Sequence, residues 1–135
     1  MSTERNKRIV RDFIERVINE GDLDAAGDYF AEDVVELEPF PGQQPGLSGV
    51  KEVLRGMRGA FPDMRWTVEE QIAEGDKVLT RFVWSGTHEG AFLGVPATHR
   101  RVSVGGMVID RIDDAKVRDT RIQMDVFGLI KQLGA

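Results

Sequence analysis

The sequence predicts an α+β domain in which helices come first and a mainly antiparallel sheet follows. Ile9 with Val10, Phe13 with Ile14, and Val17 with Ile18 recur every four residues, as one face of an amphipathic helix does. From Met64 onward the apolar period falls to two, the signature of strands with one buried face. Turn-forming residues then divide this half into strand-sized runs, and nothing repeats internally.

The first helix is expected to stop at Asn19, Glu20 and Gly21, where glycine can take the left-handed cap. Asp22 can then N-cap a second helix carrying Leu23, Ala26 and Phe30, making a helical hairpin. Asp33 to Glu38 reads as a short strand, followed by the turn-rich PFPGQQPG. Ser48 is expected to cap a third helix with Val50, Val53, Leu54, Met57 and Phe61 inward, which Pro62 prevents from continuing. Met64, Trp66, Val68 and Ile72 are expected on one face of a strand that ends at the turn EGD, and Lys77 to Gly86 forms the next. Arg100 to Ile112 follows, with a bulge expected at Gly105 and Gly106. After the turn DDA, Lys116 to Val126 forms the last strand and passes into a short apolar helix. The irregular stretches, residues 39–47 and 87–99, are candidates for a cavity rim.

A chain of 135 residues fits a single domain spanning 1–135, large enough to bury a core and a small cavity. The net charge is −5, and the 18 lysines and arginines are scattered, so the footprint of a nucleic-acid binder is missing. The absence of cysteine removes disulfide and thiolate chemistry and fits a reducing compartment. MSTERNKRIV is charged and has no signal-peptide apolar region, and no run of about 18 apolar residues exists, so the expectation is a soluble cytoplasmic protein that does not enter the membrane.

Near the end of the chain, RIQMDVFGLIKQLGA sets Asp125 among apolar residues. A carboxylate enclosed this way must be neutralised, paired or hydrogen-bonded, so Asp125 is either a structural partner or a working acid–base group. Strand parity puts Ile122, Met124 and Val126 on one face and Asp119, Arg121, Gln123 and Asp125 on the other. Two arrangements are open. The odd face can be solvent-exposed with the even face on the helices, or the odd residues can line a pocket while the even face packs on a second subunit.

FPDMRWTVEEQIAEGDKVLTRFVWSGTHEGAFLGVPATHRRV, continuing to MDVFGLIKQLG, resembles the SnoaL-like polyketide cyclases and ester cyclases of the nuclear transport factor-like superfamily. The resemblance spans almost the whole chain, from NEGDLD to the final QLG. Its most specific pieces are the phenylalanine-proline-aspartate after the third helix, the EGDKV turn, GTHEG with FLGVP behind it, and the aspartate three residues before GL. It implies three helices packed on a strongly curved sheet as a cone with an internal pocket, the ketosteroid isomerase-like or cystatin-like α+β barrel. It also implies a homodimer built on the outer sheet face, which favours the pocket-lining arrangement of the odd residues. By the same resemblance Asp125 matches an aspartate that acts as the acid–base group of an intramolecular aldol ring closure, without metal or cofactor.

Such a closure needs hydrogen-bond donors where negative charge develops on oxygen. Arg121 shares parity with Asp125 but lies roughly 13 Å along the strand, Gln123 lies at about half that distance, and Arg111 on the preceding strand can pair with Asp125 or stand solvated. His88 either lines the pocket mouth, as a histidine frequent in the family, or ends its strand with the ring bonded to the following loop. His99 stands in the proline-threonine loop where relatives carry a small residue. His88 and His99 form no recognisable metal motif, so no metal is expected. Relatives also often carry tryptophan at Arg121 and histidine at Leu37. Glu36 and Glu38 point to one side of the first strand, as paired acid–base groups or as a solvated edge.

Phe13, Phe40, Met57, Phe61, Trp66, Trp84 and Phe92 are expected to shape the cavity, with Val17, Phe30, Leu54, Phe82 and Leu93 beside them. Ordinary core is the alternative for most. Trp66 and Trp84 share parity on neighbouring strands. The expected activity is cofactor-free cyclisation or isomerisation of an apolar, polycyclic or polyketide-like carbonyl compound with Asp125 as base and then acid. The alternatives are a hydroxylation-assisting or other ketosteroid-isomerase-like enzyme, and a non-catalytic binder of a small apolar ligand.

Overall fold

In the computed structural model, which describes residues 2–134, helix α1 (Thr3–Phe13) starts at Ser2, whose hydroxyl accepts from the Arg5 N–H at 3.0 Å. It runs straight into a π-helical turn over Ile14–Asn19, where the Glu20 N–H reaches the Glu15 carbonyl at 2.9 Å. Together they bury Val10, Phe13, Ile14, Val17 and Ile18, the predicted face. Gly21 takes the expected left-handed turn at φ 76°.

The next two starts differ from expectation. Asp22 makes no cap bond; its carboxylate pairs with Arg16 at 3.4 Å, and a 3-10 helix (Leu23–Asp28) takes the place of an α-helix. Phe30 leaves that helix and opens β1 (Phe30–Glu36), so the strand begins before Asp33. Helix α2 (Gly46–Ala60) begins after Pro45, and Ser48 sits inside its first turn, donating to the Pro45 carbonyl at 3.4 Å. As Pro62 requires, α2 ends at Ala60.

The sheet adds β2 (Arg65–Glu74), β3 (Lys77–Thr87), β4 (Arg101–Asp113) and β5 (Lys116–Met124). Its order is β1-β5-β4-β3-β2, with β1 parallel to β5 and every other pair antiparallel. The curved sheet stays open, with β1 and β2 as edges. Asp63 fastens α2 to the end of β3: its Oδ1 accepts from the Thr87 N–H at 2.6 Å and its Oδ2 from the Thr87 hydroxyl at 2.8 Å.

Register is regular at Gly105 and Gly106, so the expected bulge is absent there; shifts occur at Val68/Glu70 in β2 and at Arg111/Ile112 in β4. Gly106 is required for a different reason. A Cβ at that position would lie 2.6 Å from the Phe82 ring and 2.7 Å from the Gln123 carbonyl oxygen. The β2 bulge turns Ile72 outward, where it is 60% exposed, while Met64 and Trp66 stay buried. The four residues therefore do not share one face.

Inside the concavity, Trp66 and Trp84 are direct cross-strand partners, Trp66 stacks on Phe82 with centroids 4.2 Å apart, and Phe61 meets Trp84 edge-on at 4.9 Å. On β4 the buried row is Val102, Val104, Val108, Asp110 and Ile112. On β5 it is Val117 and Thr120, and Ile122 and Met124 pack against the core beside them. Asp119, Arg121 and Gln123 lie on the outer face. The arrangement with odd residues in a pocket is therefore overturned, because β5 is sandwiched between β4 and β1 and only its apolar face can meet the helices.

Strand β5 stops at Met124, and Asp125 is the N-cap of helix α3 (Val126–Gln132): its Oδ1 accepts from the Gly128 N–H at 2.8 Å. The helix tucks Leu129 and Leu133 into the core, and Gln132 bridges the backbone N–H and C=O of Ser103 on β4 at 2.8 and 2.9 Å. Replacing Asp125 by alanine is expected to remove the cap and lower stability by about 1 kcal/mol. Urea unfolding of the two proteins measures it.

Candidate active site

Between the helices and the concave sheet lies a cavity with mostly apolar walls. The first helix supplies Val10, Phe13, Ile14 and Ile18; α2 supplies Val50, Val53, Leu54 and Met57; Phe30, Trp66, Val108 and Ile122 come from the sheet. Only four of its lining residues, Glu36, Gln43, Asp110 and Thr120, end in a carboxyl, amide or hydroxyl group. Three of these form one row across the sheet: Glu36 of β1 is the register partner of Thr120 on β5, and Thr120 is the partner of Asp110 on β4.

Asp110 is 3% exposed, and its Oδ1 has no hydrogen-bond partner among the described residues. Burial pushes its carboxyl up to about 7; a hydrogen bond with the Thr120 side chain opposes the shift, and the negative charges of Glu36 and Asp119 add to it. A carboxyl with that value at neutral pH is available both as acid and as base. Glu36 is half-buried and is also raised by burial, but the Glu38 N–H donates to its Oε2 at 3.0 Å and favours the anion.

The loop after β1 closes one side through Gln43, whose Oε1 accepts from the Phe40 N–H at 3.1 Å. Trp66 is set by Asn19, whose side-chain amide accepts from the Trp66 N–H at 2.7 Å and donates to its carbonyl at 2.9 Å, acting as an extra strand partner. The predicted rim at residues 39–47 therefore does contribute a wall residue. The other predicted rim, 87–99, folds beside Phe61 and lines none of this cavity.

Of the residues singled out from sequence, Phe13, Met57 and Trp66 line the cavity, as do Phe30 and Leu54. Asp125 does not: it is an exposed helix cap. Arg111 lies on the outer face and holds Asp119 at 2.6 Å, because the antiparallel register sets those two side by side and leaves Asp125 beyond reach. Arg121 and Gln123 are exposed on the same outer face, Arg121 with Glu38 at 3.9 Å. His88 is fully buried with its ring stacked on Phe61; its Nδ1 accepts from the Thr98 N–H at 3.2 Å and lies 3.0 Å from the Thr98 hydroxyl. It is thus the strand-end histidine bonded to its loop. Phe61 in turn meets Trp84 and Phe92 edge-on outside the cavity, and Phe40 lies beside Met124 and Val126, also outside it.

Glu36 and Glu38 part company: the first faces the cavity, and the second, past the end of β1, is exposed. Sequence reasoning missed Asp110 altogether. Its signal was the alternation of Val102, Val104, Val108 and Ile112, in which Asp110 alone is ionisable. No cluster of His, Cys, Asp and Glu suited to a metal ion occurs among the described residues, nor is any helix there long and apolar enough to cross a membrane.

A sequence model described as SnoaL-like polyketide cyclase matches residues 8–133, nearly the full length. The chain belongs to that family. It is 30% identical over 118 residues to the nogalonic acid methyl ester cyclase of Streptomyces nogalater, covering 86% of this chain and 88% of that one. It is 32% identical over 114 residues to the aklanonic acid methyl ester cyclase DnrD of Streptomyces peucetius, covering 76% and 79%. Among solved structures, TsrD from Streptomyces laurentii superposes with a TM-score of 0.91 at 30% identity, over 100% of this chain and 98% of the other. Within this SnoaL-like frame the helices and curved sheet are shared, and the question specific to this chain is which carboxyl faces its cavity.

Burial of Asp110 has a consequence for stability. Below pH of about 4 its carboxyl is protonated folded or unfolded; between about 4 and about 7 only the unfolded chain releases the proton. The contribution of Asp110 to stability should therefore decline as pH rises through this window and level off above it. Urea unfolding of wild type and Asp110→Asn from pH 4 to 8 should show the wild type losing stability relative to the variant across that range.

Proposed function

We propose that this SnoaL-like protein is a cofactor-free cyclase that closes a ring in a polyketide-like carbonyl compound by an intramolecular aldol reaction, with Asp110 as an acid–base group. The observation that carries this reading is the single deeply buried carboxyl in an apolar cavity, able to exchange a proton near neutrality. Aldol closure is proton traffic around one C–C bond: a proton leaves an acidic methylene, the carbanion adds to a ketone, and the resulting alkoxide takes a proton. Side-chain carboxyls can supply all of this. Similarity to methyl ester cyclases supports a methyl ester as the substrate class. Apolar walls from α1 and α2 suit a flat, largely hydrocarbon body.

The test compares wild type, Asp110→Asn and Asp125→Asn on an aromatic polyketide methyl ester with an acidic methylene near a ketone, followed by chromatography and mass spectrometry. Asp110→Asn is expected to lose turnover by on the order of a hundredfold or more. Asp125→Asn, outside the cavity, is expected to retain it. The reverse pattern would return the role to the helix cap.

The outer sheet face supports a homodimer. Ile72, Leu79 and Ile109 are consecutive cross-strand partners there, and Ile72, Met107 and Ile109 are 60, 49 and 38% exposed. Sedimentation of wild type is expected to give twice the monomer mass, and Ile109→Glu the monomer.

A further inference from the structure

Resting on the cyclase reading, we infer that the proton work is divided between two cavity residues: Glu36 takes the proton from carbon, and Asp110 gives one to the acceptor oxygen. Three observations lead there. Glu36, Thr120 and Asp110 occupy one row on three adjacent strands, and all three line the cavity. Two strand spacings put the Cα atoms of the two acids roughly 10 Å apart, a span that accepts the reacting segment of a substrate between their side chains. Thirdly, the two carboxyls are held differently. Glu36 stands half-buried: burial raises its carboxyl, and the Glu38 N–H on its Oε2 opposes that rise by stabilising the anion. Asp110 is 3% exposed and its Oδ1 has no hydrogen-bond partner among the described residues, an arrangement that favours the neutral acid.

Burial raises both carboxyls, but the backbone donor is on Glu36 and the deeper burial is at Asp110, and this difference assigns base to the first and acid to the second. Like charges in one cavity reinforce the division, since ionising Glu36 opposes ionising Asp110. The step then balances as follows. The Glu36 carboxylate removes a methylene proton; the C–H electron pair forms the new C–C bond to the ketone carbon. The carbonyl π pair moves to oxygen, which takes the Asp110 proton. Glu36 ends protonated and Asp110 ionised, and one proton released by the first and one gained by the second restore the starting state. Thr120, whose hydroxyl bonds Asp110, lies between them on the return path.

Deuterium exchange separates the two halves. A substrate analogue that keeps the acidic methylene but lacks the ketone reports deprotonation alone in heavy water, and the full substrate reports closure. Glu36→Gln is expected to lose exchange by on the order of a hundredfold and closure with it. Asp110→Asn is expected to keep exchange within about threefold of wild type while losing closure. Circular dichroism checks that each variant is folded. Wild type alone gives a second reading: exchange should rise with pH to a plateau, whereas closure, which also needs a protonated group, should be bell-shaped.

Exchange at the wild-type rate in Glu36→Gln would overturn the assignment, as would loss of exchange in Asp110→Asn or superimposable pH profiles for exchange and closure. A wild-type protein that binds the substrate but neither exchanges nor closes it would overturn the cyclase reading itself, and this assignment with it.

Discussion

Everything about the site follows from which face of one curved sheet meets the helices. In a strand that choice is binary for each residue, and a slip of one position would exchange the entire inner set for the outer one. Here the choice is fixed by β4 and β3, whose inward rows, Val102, Val104, Val108 and Ile112 and then Val78, Phe82 and Trp84, are apolar and buried. From Gly106↔Met124 to Arg111↔Asp119 strand β5 takes its parity from β4, and at Val35↔Asp119 and Glu36↔Thr120 strand β1 takes its own from β5. Once that is settled, Glu36, Asp110 and Thr120 must face inward and Arg111, Asp119 and Arg121 must face out.

The same constraint explains the electrostatics. The outer face disposes of charge cheaply, by pairing Arg111 with Asp119 and Arg121 with Glu38 beside solvent. On the inner face, among the described residues, the Thr120 hydroxyl and no cation opposes the rise at Asp110, so burial brings the carboxyl up to about 7. The cost of that desolvation is borne by the hydrophobic packing around it: the stacked Trp66 and Phe82, the first helix and α2. A carboxyl kept out of water but near neutrality is poorly suited to stabilising a fold and well suited to moving protons.

Much of the architecture was legible in the sequence because it rests on periodicity and turn chemistry. The spacing of Val10, Phe13, Ile14 and Val17, the left-handed Gly21, the stop before Pro62, and the change to period two all correspond to elements of the structure. What could not be read depends on contacts between elements. The β2 bulge that turns Ile72 outward has no local signal, and Gly106 is glycine because the Phe82 ring lies over it, not because the strand is bulged. The reading of Asp125 failed for a related reason. Its apolar neighbours Val126 and Phe127 begin a helix, and an aspartate at a strand-to-helix junction can satisfy itself as a cap without entering the core. Asp110 was obscured because Met107 and Ile109 make the outward face of β4 apolar as well, so the alternation around it was blurred.

Desolvation in the cavity raises the Asp110 carboxyl so that it exchanges its proton near pH 7. The most direct measurement is a carbon-13 NMR titration of the side-chain carboxyl groups, with the Asp110 resonance assigned by its disappearance in Asp110→Asn. An inflection at about 7 is predicted, well above the ordinary aspartate value of 3.8. An inflection near that ordinary value would mean that water or a cation reaches the group, and the account of the cavity as a dry acid–base site would be contradicted.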